Sequence, residues 1–147
     1  MSTNDYDEPL VGVTMMLADS AQVSEGKLFI LGGGWSVTGP PAPSAVVLHV
    51  EVPWDQTNRR LEWRLELVDS DGYPVMTPDG EGGENPIMMG GEFEVGRPPG
   101  TPHGAPIGLP LALNLSPLPV APQSRYEWRF TIDGESRDDW RLAFSTR

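Results

Sequence analysis

Three stretches of the chain gather carboxylates in a pattern that suits a hard cation. They are Asp69-Ser70-Asp71-Gly72, Asp79-Gly80-Glu81 followed by Glu84, and Asp133-Gly134-Glu135 followed by Asp138 and Asp139. Calcium takes about six to eight oxygen ligands in a flexible geometry, and loops converging at one end of a β domain can supply them. Asp69, Asp71, Asp79, Asp133 and Asp138 are the candidate calcium ligands on this reading. No stretch has the full length of an EF-hand loop, and Asp and Gly are also the everyday residues of tight turns. Solvated turns are the plainer expectation.

Other chemistry has less to work with. The chain has 2 histidines, His49 and His103, and no cysteine. Serine nucleophiles need a base that a third group orients, and no serine lies in a Gly-x-Ser-x-Gly elbow. The two histidines are not spaced as metal ligands on one element. The run Gly32-Gly33-Gly34 is not followed by Gly-Lys-Ser/Thr or by a helical pattern, so it reads as a bulge or sharp strand bend and not as a phosphate loop. The sequence therefore predicts no enzyme.

Charge narrows the partners. With 10 basic and 21 acidic residues the net charge is −11. Nucleic-acid binding requires a basic footprint, and anionic membranes repel such a chain; neither is an expected partner. The first residues, Met1 to Pro9, are acidic and polar, lack the basic and apolar regions of a signal peptide, and read as a flexible tail. The expectation is a cytoplasmic or virion location.

The elements that would carry these loops are strands. Tyr126, Trp128, Phe130 and Ile132 alternate with polar residues, as do Trp140, Leu142 and Phe144, across the polar linker Asp133 to Asp139. That period of two marks a half-buried hairpin. Leu61, Trp63, Leu65 and Leu67 alternate with a charge ladder of Arg60, Glu62, Arg64 and Glu66. Ala45 to Val52, Ile87 to Val95 and Leu109 to Leu115 repeat the pattern, with Pro110 marking an edge strand. Leu10 to Ala18 is apolar on both faces, Lys27 to Leu31 is a strand that Trp35 to Thr38 continue past the glycines, and Asp19 to Gly26 reads as a connection with a helical turn. Gly39 to Pro43 is a polyproline crossing, Thr77 to Pro86 a long flexible loop, and Gly96 to Pro106 the longest irregular stretch.

About eight strands and no helix predict an all-β fold, a two-sheet antiparallel β-sandwich occupying residues 10–147 as one domain. An immunoglobulin-like topology, with Trp63 in the role of that fold's core tryptophan, is favoured; a closed β-barrel is the alternative.

The run Leu17-Ala18-Asp19-Ser20-Ala21-Gln22-Val23-Ser24-Glu25-Gly26-Lys27-Leu28-Phe29-Ile30-Leu31-Gly32-Gly33-Gly34-Trp35 resembles the signature of an uncharacterised bacterial and phage family, a domain of unknown function common in actinobacteria. Val52-Pro53-Trp54, Leu61 to Leu67, Glu92 to Gly96 and Tyr126 to Arg129 match in the same order, so the resemblance spans most of the chain. It implies a small cytosolic or virion-associated β protein and brings no activity, ligand or catalytic residue.

The functional expectation is therefore a structural or interaction module that oligomerises or joins a larger assembly, such as a phage particle, through a protein partner or a second copy of itself. Trp35 and Trp54 lie at strand ends, where Trp serves as an interface anchor or caps the core. With the Met88-Met89 pair and Arg97 in the long Pro-rich loop, they are the candidate contact residues. A calcium- or carbohydrate-binding sandwich is the alternative.

Overall fold

The computed structural model describes residues 11–147. The tail expected over residues 1–9, and Leu10 of the first expected strand, lie outside the described residues. Twelve strands follow in order: β1 (Gly12–Ala18), β2 (Ser20–Ser24), β3 (Lys27–Leu31), β4 (Val37–Thr38), β5 (Ser44–Val52), β6 (Arg60–Asp69), β7 (Met76–Pro78), β8 (Glu84–Pro86), β9 (Met88–Glu94), β10 (Ile107–Leu115), β11 (Arg125–Ile132) and β12 (Arg141–Thr146). The expected eight correspond to β1, β3 with its continuation in β4, β5, β6, β9, β10, β11 and β12; β2, β7 and β8 are additions.

Two sheets carry the core. A three-stranded sheet has the order β1-β5-β10 and a five-stranded sheet the order β4-β12-β11-β6-β9. The inner face of the first presents Leu17 and Val46, Leu48, Val50 and Val52, with the half-buried leucines of β10 beside them. The second answers with Leu61, Leu65, Leu67, Tyr126, Trp128, Phe130, Ile132 and Phe144, and all these side chains form one apolar cluster. Each fully buried residue of this size contributes roughly 1.5–3 kcal/mol. The architecture is an all-β sandwich whose sheets do not close into a barrel.

With β2, β3, β4, β7 and β8 set aside, β1, β5 and β10 lie opposite β9, β6, β11 and β12. Lettered a to g, that is a-b-e against d-c-f-g, the immunoglobulin-like arrangement with its fourth strand beside the third. Tyr126, at the start of strand f, reinforces it: its hydroxyl accepts the Ala121 N–H at 2.8 Å, a tyrosine corner. The central tryptophan is not the expected one. Trp128 is 1 % exposed, because β11 is the middle strand of its sheet. Trp63 is half-buried on β6, stacked on Phe130 at 6.1 Å and lying over Gly91 of the edge strand. Pro110 does sit on an edge strand, β10.

Three local expectations are corrected. Residues 20–24 are not a helical turn but the first arm of a hairpin with β3, in register from Ser20 opposite Leu31 to Ser24 opposite Lys27. Its turn is Glu25-Gly26 with φ of 51° and 73°, the two left-handed residues of a type I′ turn that fits strand twist. The stretch from 77 to 86 is likewise a hairpin, β7 against β8. Past the glycines only Val37–Thr38 is strand, and it crosses to the other sheet to pair parallel with β12. The glycine run itself is the expected bend. A Cβ on Gly32 would come within 2.2 Å of an Asp19 carboxylate oxygen.

Candidate functional site

Small residues determine where the β2–β3 ribbon lies. The outer face of the three-stranded sheet carries Ala18, Ala45, Val47 and Ala112, and the ribbon packs Ala21 and Leu28 on them as a second, smaller core. Alanines allow that close approach. Asn114 on β10 locks the ribbon in place: its amide accepts the Ala21 N–H at 3.2 Å and donates to the Ala21 carbonyl at 2.7 Å. The ribbon is a roof on one sheet of the sandwich.

The roof is apolar on its outside as well. Alternation puts Lys27, Phe29 and Leu31 on the side away from the sheet. Leu31 is 70 % exposed, Phe29 53 %, Val23 43 %, Ile30 38 % and the adjacent Met16 36 %. Scattered surface apolar residues are ordinary, whereas a contiguous patch marks a docking site. Phe29 and Leu31 form an outward apolar pair, while Val23 and Ile30 share the sheet-facing side with Ala21 and Leu28 and stay partly exposed beside Met16. The pair's signal was in the sequence as the run Leu28-Phe29-Ile30-Leu31, too apolar for a strand with one side wet.

The expected contact residues have other roles. Trp54 and Arg97, 43 positions apart, meet: the Arg97 guanidinium lies 3.9 Å from the Trp54 ring centre, and its Nη2 donates to the Trp54 carbonyl at 2.7 Å. Arg97 Nε also donates to Thr57 Oγ1 at 2.7 Å, and His103 packs on the Trp54 ring at 4.8 Å. This cluster pins the 96–106 loop to the turn after β5, so both side chains are largely spent within the chain. Trp35 is half-buried with its ring edge-on to Phe144 at 6.2 Å. Its indole Nε1 is buried without a protein partner, beside a cavity of about 60 Å³ that Leu17, Trp128 and Phe144 also line. Met88 is exposed on edge strand β9, while Met89 is half-buried opposite Leu65. No tryptophan stands free as a sugar platform: Trp128 and Trp140 are buried, the others half-buried.

The carboxylates cap their own turns. Asp69 Oδ1 accepts the N–H groups of Asp71 and Tyr73 at 2.9 and 3.0 Å. Asp79 Oδ1 accepts those of Glu81 and Gly83 at 2.7 and 3.0 Å. These two donors, Glu81 first, hold the Asp79 carboxyl below the usual carboxylate range. Asp133 Oδ1 accepts the Glu62 N–H at 2.9 Å. Asp71 and Asp138 are exposed in their loops. Among the described residues no three or more His, Asp or Glu side chains converge on a point that could hold a metal ion. Among the described residues no helix is long and apolar enough to cross a membrane.

The profile of a family of unknown function, DUF6941, matches residues 13–145. The chain belongs to that family. No curated protein matches it. The DUF6941 region begins inside β1 and ends inside β12, so it takes in both sheets and the roofing ribbon.

Proposed function

We propose that the protein is a non-catalytic interaction module that docks through the outward side of the β2–β3 ribbon, onto a protein partner or a second copy, within a larger assembly. A cytosolic or virion location, and an accessory or decoration role on a particle such as a phage, belong to the same proposal. The observation that carries it is the exposure of Phe29 and Leu31, 53 % and 70 %, on a ribbon whose other side packs Ala21 and Leu28 onto the sheet. Those two side chains do nothing for the fold that a polar residue would not do as well. Leaving them wet forgoes part of the roughly 1.5–3 kcal/mol that each gains on burial. The surrounding charge of −11 keeps a chain with that pair exposed soluble.

The test uses the protein in a lysate of its source cell, run by native sizing. The wild type is expected to migrate in a complex larger than the free chain, and the variant Phe29→Glu/Leu31→Glu as the free chain. A wild type that migrates free, or a double variant that stays in the complex, would overturn the proposal.

A further inference from the structure

We infer that two copies of the chain associate by antiparallel pairing of β3 with β3 of a second copy, about a twofold axis beside Phe29. This deepens the proposal above and rests on its assignment of the ribbon as the docking surface. Among the described residues β3 has β2 on one side and no strand on the other. The two-residue turn makes Ser24 and Lys27 the closing hydrogen-bonded pair. Alternation then makes Gln22–Phe29 and Ser20–Leu31 hydrogen-bonded pairs too, and turns the N–H and C=O of Leu28 and Ile30 toward the open edge. Neither residue makes a backbone bond outside the ribbon among the described residues.

Edges are normally guarded by charge, proline or shape. Edge strand β9 carries Glu92 and Glu94, and β10 carries Pro110. β3 has Lys27 at its first position and then Leu28, Phe29, Ile30 and Leu31 with no guard. A free strand edge calls for a strand, and this one is complementary to itself. A twofold axis at Phe29 sets Leu28 opposite Ile30 of the second copy and Ile30 opposite its Leu28. Those are the residues whose backbone groups face outward, so they form the hydrogen-bonded pairs. Phe29 then meets its own copy at the non-hydrogen-bonded position, where side chains are closest.

Charge favours the same occupant. Two chains of −11 repel across most of their surfaces, but the ribbon from Ser20 to Leu31 carries one Glu and one Lys, Glu25 and Lys27, and no net charge. A basic partner would be drawn to the acidic surfaces elsewhere. The paired edge is only five residues long, short of a stable standard interface. The dimer is therefore reversible, and salt strengthens it by screening the repulsion of the two bodies.

The purified full chain is examined by sedimentation from micromolar to millimolar concentration at low and high salt, with amide hydrogen exchange at each concentration. The dimer fraction is expected to rise with concentration and salt. Protection of the Leu28 and Ile30 amides should rise with it, while the Phe29 amide, already bonded within the ribbon, does not change. Ile30→Pro removes an edge donor that the ribbon itself does not use and should weaken the dimer at least about tenfold. Where that variant disturbs the ribbon, exchange in the wild type decides alone. A monomer at millimolar concentration and high salt overturns the pairing, as does a dimer whose Leu28 and Ile30 amides exchange as fast as the monomer's. A purified monomer whose wild type still runs in a lysate complex overturns the pairing and leaves the interaction module standing. A chain that is free in both overturns the two together.

Discussion

The outer faces of the two sheets have opposite fates. The five-stranded sheet turns Arg60, Glu62, Arg64 and Glu66 of β6 and Glu127 and Arg129 of β11 away from the core, with ion pairs at Arg60–Glu92, 3.1 Å, and Arg129–Glu127, 2.7 Å. Water covers that face, and such exposed pairs contribute little. The three-stranded sheet turns Ala18, Ala45, Val47 and Ala112 outward, and the β2–β3 ribbon covers them. Covering one apolar face moves the exposure outward: the second core is buried, and Phe29 and Leu31 of the cover are wet. A sandwich needing only stability could have made the second outer face as polar as the first. The roof is where this chain departs from that economy, and so it is where function is assigned.

The largest expected effect separates the two faces directly. Val47→Asp buries a carboxylate without a partner between sheet and ribbon. It should cost about 3 kcal/mol or more, or strip the ribbon from the sheet, as urea unfolding and exchange of the β2 amides would show. On the water-covered face Arg64→Ala should stay within about 0.5 kcal/mol. Equal costs at the two positions would erase the distinction. Asn114→Leu comes next. It removes both bonds to Ala21 and leaves that peptide group short of partners, at about 2 kcal/mol, with faster exchange in β2 and β3 and none in β11.

Smaller effects belong to the acidic turns, where solvated turns were the plainer expectation and calcium the alternative. Asp69, Asp79 and Asp133 already accept backbone N–H groups. A ligand held by the native state raises its melting temperature; millimolar calcium is expected to leave that temperature unchanged, and a rise of several degrees would restore the calcium reading. Asp79 adds a pH dependence. Its carboxyl is lowered in the folded chain, so the support it gives the β7–β8 turn is complete above the ordinary aspartate value and is lost as pH falls through the lowered folded one. Exchange of the Glu81 and Gly83 amides should accelerate over that acid window, and Asp79→Ala should abolish the change.

The sandwich was legible because its long strands are amphipathic at period two. Residues 60–67 and 126–144 announce both arms and inner faces, and Pro110 an edge. The ribbon's first arm was not legible. Ser20-Ala21-Gln22-Val23-Ser24 has two apolar residues, and what makes it a strand is Ala21 resting on Ala45 and Val47 together with the Asn114 clamp, 93 positions away. The Trp54–Arg97–His103 cluster was hidden for the same reason, since its members lie on a turn and a loop that only the folded sheets bring together. Trp63 and Trp128 show the limit of alternation: it puts both on inner faces, and only strand order puts Trp128 at the centre.

The measurement that bears most directly on the roof as a docking surface compares Phe29→Glu/Leu31→Glu with the wild type in urea unfolding and in solution mass. Both side chains are exposed, so the unfolding midpoint should hold to within about 0.5 kcal/mol, while the wild type's association is lost. A variant that unfolds as its association falls, or one that is as stable and as associated as the wild type, would contradict the account.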